Sequence, residues 1–148
     1  MPYPELDTER MELLAHIPSD VGAAGSTYRT PYFSMTNHHK ALTLLSVGDM
    51  GQAATLDCTL MQAQDAAGTG AKVIAAKAIT QLTQAGGDED SAVAINLRTE
   101  EMDAQNDFDF LAVRIRVGTA TVNFALIVLG NVPRYAPVTQ TPWTEVVV

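Results

Sequence analysis

The sequence predicts an all-β fold, either an antiparallel β-sandwich or an open barrel, with extended arms at both ends. Short segments in which apolar and polar residues alternate recur along the chain, and turns rich in Gly, Asp and Thr separate them. The 148 residues fit one domain, which can bury a core without disulfide or metal support. All 7 prolines lie in residues 1–36 and 131–148, where they disfavour regular strands.

Residues 1–36 are interpreted as an N-terminal arm, because prolines and a glycine-rich stretch interrupt them. Within this arm, a short helix over residues 7–15 with Thr8 as its N-cap competes with a strand over residues 12–17. Residues 28–35 have strand-like composition. The proline inside them predicts an edge strand or an arm.

Residues 37–130 are interpreted as the β domain, and residues 131–148 as a C-terminal arm. Residues 122–129 are apolar on both faces, which predicts a central strand. Residues 72–83 are predicted to form a strand, although their alanines leave open an α+β alternative with a helix over residues 72–82. Thr99 is expected to cap one helical turn. The remaining predicted strands are residues 39–47, 54–62, 92–98 and 108–117.

The period-two pattern also predicts which side chains form the core. A slip of one residue in register would turn every one of them to the other face. The predicted core residues are Leu56, Leu60, Val93, Ile95, Leu97, Leu111, Val113, Ile115, Val122, Phe124, Leu126 and Val128.

The charge composition excludes some partners and indicates a covered surface. The formal net charge is −8, so nucleic acid and anionic membranes, which need a Lys/Arg footprint, are not expected as partners. Charged residues make up only 18% of the chain, against a usual value of about 25%. This deficit indicates that something other than water covers part of the outer surface.

No motif in the sequence predicts catalysis, a cofactor or a metal site. The adjacent His38 and His39 point to opposite faces of a strand, and the acidic stretches lack the spacing of a calcium loop. Cys58, the single cysteine, falls between leucines on an inward face and is expected to be a structural thiol. The first residues lack the basic and apolar regions of a signal peptide. We therefore expect a protein that is not an enzyme.

The two arms are too rich in aromatic and β-branched residues for solvated tails. Ordering on neighbouring subunits would explain this composition, and Trp and Tyr are frequent interface anchors. The predicted partner-binding residues are Tyr3, Tyr32, Phe33, Tyr135 and Trp143.

Four stretches carry a family resemblance: residues 62–72 (QAQDAAGTGAK), 77–83 (KAITQLT), 95–103 (INLRTEEMD) and 130–137 (GNVPRYAP). They resemble a group of small structural proteins of tailed bacteriophages and of prophages of proteobacteria. The similarity spans roughly residues 38–137 and includes no catalytic signature.

The resemblance implies a virion component, and first of all a capsid decoration or cement protein. Such a protein would be made in the bacterial cytoplasm and bound to the capsid surface. Its partners would be the major capsid protein and copies of itself, as a trimer. A tail-tube, head–tail connector or other virion protein is the alternative, and a small-ligand or carbohydrate-binding β module is a further one.

Overall fold

The structure, a computed structural model, describes residues 6–138 and 143–146. The strands, in which apolar residues alternate with polar ones, form two antiparallel sheets. One short helix, α1 (Asp7–Arg10), precedes them. The strands are β1 (Glu12–Gly22), β2 (Thr27–Arg29), β3 (Phe33–Ser34), β4 (His38–Met50), β5 (Thr55–Ala63), β6 (Lys72–Ala78), β7 (Leu82–Thr83), β8 (Ala92–Arg98), β9 (Phe110–Gly118) and β10 (Val122–Pro133).

The strand order is that of a jelly roll. Sheet A has the order β1-β10-β4-β8, and sheet B has the order β2-β9-β5-β6, with β3 beside β9 and β7 beside β5. Without the two-residue strands β3 and β7, the first strand pairs with the last, the second with the seventh, the third with the sixth and the fourth with the fifth. This nested pairing across two sheets defines the jelly-roll form of the β-sandwich. The prediction of an all-β antiparallel sandwich is confirmed.

The core lies between the inner faces of the two sheets. All the predicted core residues are buried except Val93, which is partly buried and packs against the others. The long strand β10 lies between β1 and β4, as its apolar character on both faces predicted. Tyr28 and Phe124 close one part of the core with an edge-to-face ring contact at 5.4 Å.

The predicted N-terminal arm needs correction, because residues 12–34 contribute β1, β2 and β3 to the two sheets. The prolines that indicated an arm are accommodated at irregular positions: Pro18 lies in a register shift between Ile17 and Asp20 of edge strand β1. The helix is also shorter than expected. It begins at Asp7 with Leu6 at the N-cap position, so Thr8 is not its cap.

Residues 72–83 are strands, so the helical alternative for this segment is wrong. The segment divides into β6 and β7, and Ala76 adopts a positive φ of 60° within β6. A register shift in the pairing with β5 accompanies this irregularity. The turn after β8 is a 3-10 helix, Thr99–Glu101, in which Arg98 rather than Thr99 occupies the N-cap position.

The C-terminal arm begins later than predicted, since β10 extends to Pro133. Residues 134–138 and 143–146 are irregular, and the backbone amide of Val138 donates to the carbonyl of Glu9 at 3.0 Å. In the described part of the chain, no helix is long and apolar enough to span a membrane.

Candidate interaction surface

The outer face of sheet A is apolar where the outer face of a sandwich usually meets water. The register places Ile127 of β10 directly opposite Leu44 of β4, and Leu44 opposite Ala94 of β8. The neighbouring rows have the same character. We define the apolar face by six side chains: Leu42, Leu44, Ala94, Ala125, Ile127 and Leu129.

The centre of the apolar face is solvent-exposed and uncharged. Leu44 is 39% exposed and Ile127 is 41% exposed. The three rows that β10, β4 and β8 form here contain no charged residue, and their polar members are Ser46 and Asn96. Exposed contiguous apolar surface is uncommon on a soluble monomer and marks interaction sites. The apolar face therefore accounts for part of the low content of charged residues in the sequence.

Two grooves extend the apolar face and share Ala125 and Ile127. One, of about 310 Å³, lies over β4, β8 and β10. The other, of about 540 Å³, lies between β1, β10 and the C-terminal segment, and Trp143 forms part of its wall with Leu13 and Ile17. The half-buried Trp143 thus continues the apolar surface past the edge of the sheet.

The outer face of sheet B has the opposite character. Arg114 and Arg116 of β9 share this face with Thr27, Asp57 and Thr59. These five side chains line a groove of about 330 Å³, which we call the arginine groove. The two broad faces of the sandwich therefore differ at their centres. Sheet A has three apolar, uncharged rows, bordered by Lys40 and Arg98, whereas sheet B is polar and carries guanidinium groups.

The predicted partner-binding aromatics fall in different environments. Tyr135 is 79% exposed and is free to meet a partner, and Trp143 borders the apolar face. Tyr32 is buried in its own chain against Met61 and Ala112, and Phe33 is half-buried on β3. Tyr32 and Phe33 therefore have a structural role within the chain. Tyr3 lies outside the described residues.

Cys58 is a structural thiol, as its position predicted. It is buried on the inner face of β5, and burial raises the pKa of its thiol to about 12. A neutral buried thiol is a poor nucleophile and a poor metal ligand. Among the described residues, no group of three or more His, Cys, Asp or Glu side chains is arranged to hold a metal ion.

The histidines follow the expected alternation. His38 is buried and His39 is exposed, so the two rings lie on opposite faces of β4. His38 Nε2 lies 3.2 Å from Glu12 Oε2. Burial lowers the pKa of His38, and the nearby Glu12 carboxylate opposes part of that effect. The ring is accommodated because residue 130 is a glycine, since a Cβ there would lie 2.7 Å from the ring.

The apolar face itself was not predicted from the sequence. The signal was the apolar character of both faces of residues 122–129 and of Leu42 to Leu45 in β4. Such a run was interpreted as a strand covered on both sides within one chain. In the structure only the inner side is covered by sheet B, and the outer side is open.

No protein-family model matches the sequence, and no curated protein matches it. Two solved structures of infectious bursal disease virus are similar to this chain. The Gx strain structure has 13% identity and a TM-score of 0.45 over 88% of this chain, and the Gt strain structure has 12% identity and a TM-score of 0.44 over 95%. This chain spans only 34% and 38% of the length of those two chains.

Proposed function

We propose that this chain is a structural protein of a tailed-phage virion, and more closely a capsid decoration protein that binds the outside of the shell. The apolar face carries this proposal. It offers an uncharged docking surface on the broad side of a stable sandwich, and the surface is built from regular strands rather than from loops. The partner would be the major capsid protein.

The chemistry of the remaining groups supports a binding role rather than catalysis. The one thiol is buried with a raised pKa, and the buried histidine faces a single carboxylate. In the described part of the chain, neither belongs to a group of three or more side chains that could hold a metal ion. Jelly rolls occur in viral capsid proteins and in ligand-binding proteins, so the fold alone does not assign a function. The resemblance of residues 38–137 to small phage structural proteins favours the virion.

A capsid shell can be stabilised by a binding face that contributes only a modest contact energy per copy. The same contact is repeated at many symmetry-related positions, and a modest gain at each copy stabilises the whole particle. Burying two half-exposed side chains such as Leu44 and Ile127 contributes on the order of 1 kcal/mol each at about 25 cal/mol per Å². Tyr135 and Trp143 near the end of β10 supply further apolar contact area.

The test compares Ile127→Glu with Val73→Glu in binding to purified shells that lack this protein. Ile127 is 41% exposed and Val73 is 50% exposed, and both are β-branched residues on strands. Val73 lies on β6 in sheet B, away from the apolar face. We expect Ile127→Glu to lower shell binding at least tenfold, because it places a charge in a desolvated contact. Val73→Glu should bind as the unsubstituted protein does. Binding is measured by co-sedimentation with shells.

Two results would contradict the proposal. Equal shell binding by both variants would show that the apolar face is not the docking surface. Binding of the unsubstituted protein to purified tails and not to shells would assign it to the tail instead. Thermal unfolding of each variant separates loss of binding from loss of folding.

A further inference from the structure

The arginine groove gathers positive charge on regular strands of this acidic chain. Arg114 and Arg116 are two residues apart on β9, so they share a face at a spacing of roughly 7 Å. Arg29 of β2 lies opposite Arg114 in the register and stacks over the Tyr32 ring at 4.4 Å. Three of the 9 basic residues of the chain therefore meet in one place.

The two guanidinium groups of the groove lack partners within the described structure. Neither Arg114 nor Arg116 has a carboxylate within 4 Å or a side-chain hydrogen bond among the described residues, although Arg114 is half-buried. Asp57 lies opposite Arg116 in the register, but its carboxylate accepts a hydrogen bond of 2.9 Å from Gln81 Nε2. Like charges on adjacent strands and a half-buried unpaired guanidinium both cost stability unless an anion offsets them.

We propose that the arginine groove binds carboxylates, and that these belong to a second copy of this chain. Planar guanidinium groups match carboxylates in a bidentate geometry, which lysines do not. Two threonine hydroxyls, from Thr27 and Thr59, line the groove beside the arginines and can donate further hydrogen bonds.

The acidic loop after β7 is the matching segment on the second copy. Some carboxylates outside this loop are paired within the chain, such as Glu101 with Lys77 at 2.9 Å and Asp103 with Lys72. The loop differs from them because residues 88–90 are three successive acidic residues. Glu89 and Asp90 are exposed, and no cation of the described residues pairs with them. Two copies that each carry a net charge of −8 repel each other overall. An orientation that places this loop against the groove is favoured, because it brings opposite charges together.

The contact joins two different patches, so it can be made reciprocally in a dimer, or head to tail, where it forms a ring if the rotation between copies closes. This inference concerns sheet B and does not depend on docking through the apolar face.

The experiment is a charge exchange followed by sedimentation equilibrium of the full chain. One variant carries Arg114→Gln and Arg116→Glu, and the other carries Glu89→Lys and Asp90→Lys. We expect the unsubstituted protein to self-associate, each variant alone to associate at least tenfold more weakly, and an equal mixture of the two variants to regain association. The association of the unsubstituted protein should weaken as salt is raised, because the contact is charged and solvent-accessible.

A matched control removes two other arginines, with Arg98→Gln and Arg134→Gln, and leaves the groove intact. This control should associate as the unsubstituted protein does. Three results would overturn the proposal: an unsubstituted protein that is monomeric at all concentrations, a groove variant with unchanged association, or a mixture that fails to associate. If Ile127→Glu alone abolishes association while the groove variant does not, the apolar face is the self-contact. Thermal unfolding confirms that each variant is folded.

Discussion

At the scale of single residues, burial decides the chemistry of the few titratable groups in the core. Cys58 and His38 are both buried, and burial shifts the pKa of each toward the neutral form, an effect that the Glu12 carboxylate partly opposes at His38. The inward position of Cys58 was predictable from strand alternation, and so was the placement of His38 and His39 on opposite sides. Which histidine is buried was not predictable, because alternation gives His38 the parity of the outward Leu42 and Leu44. The partner of His38 was not predictable, because Glu12 is brought to it by the pairing of β1 with β10, two strands distant in sequence.

His38 gives a pH-dependent stability whose sign follows from its pKa. The pKa is lowered in the folded protein, whereas the unfolded chain has a value near ~6.5. The unfolded state therefore takes up a proton first as the pH falls, so the stability contribution present above ~6.5 is lost below it. We expect the free energy of unfolding in urea to fall from pH 7 to pH 5.5, and His38→Gln to reduce that fall.

The exposed His16 provides the control for this measurement. It lies on β1, opposite Ile127, and His16→Gln should retain the pH dependence of the unsubstituted protein. The interpretation of His38 fails if both variants follow the same pH curve.

At the scale of elements, the interface between β10 and β4 depends on one glycine. Gly130 lies opposite Ala41 in the register, and its missing side chain leaves the space that the His38 ring fills. Gly130→Ala would force that ring or the strand to move. We expect it to cost about 1–3 kcal/mol of unfolding free energy, as overpacking of a dense core usually does.

Gly48 of β4 is the matched control for this substitution. An added Cβ there would meet its nearest neighbour, Asn123, at an ordinary 3.5 Å. Gly48→Ala should therefore be neutral or slightly stabilising, because it also lowers the entropy of the unfolded chain. Chemical denaturation of the two variants makes the comparison. Equal losses would indicate that strand glycines matter here for flexibility and not for the packing of His38.

The elements of the β domain were predictable because their alternation is local. For residues 12–17 the sequence left a strand and a helix open, and the structure confirms the strand. Strands such as β5 and β9 show period two within their own residues, for example at Leu56 and Ile115. In β1, register shifts on either side of residues 15–17 interrupt that period, and Pro18 removes a backbone donor. The pairing with β10 decides for the strand, and because that pairing is not visible in the local sequence, the helix remained an alternative.

At the scale of the whole molecule, the jelly-roll order explains why the two ends of the chain are not equivalent. β1 and β10 are neighbours in sheet A although they are far apart in sequence, so β1 completes the edge of that sheet. The segment after β10 adds no strand among the described residues and lies at the margin of the apolar face. We therefore expect changes in this segment to affect binding more than folding.

Truncation of each end tests this difference. Removal of residues 1–36 takes away β1, β2 and β3, which leaves one edge of β10 unpaired and part of the core open, so we expect the product to lose its cooperative thermal transition. Removal of residues 139–148 leaves both sheets intact, and its thermal transition should remain close to that of the full chain. Circular dichroism during heating measures both products.

The shorter C-terminal product then separates folding from binding. It lacks Trp143, which borders the groove beside Leu13 and Ile17, so its shell binding should fall several-fold while its sheets persist. The single substitution Trp143→Ala should reproduce most of that loss, and Tyr135→Ala tests the exposed aromatic that the truncation retains. Unchanged shell protection by the truncated protein would show that the C-terminal segment has no part in docking. In that case the six side chains of the apolar face would have to account for the contact alone.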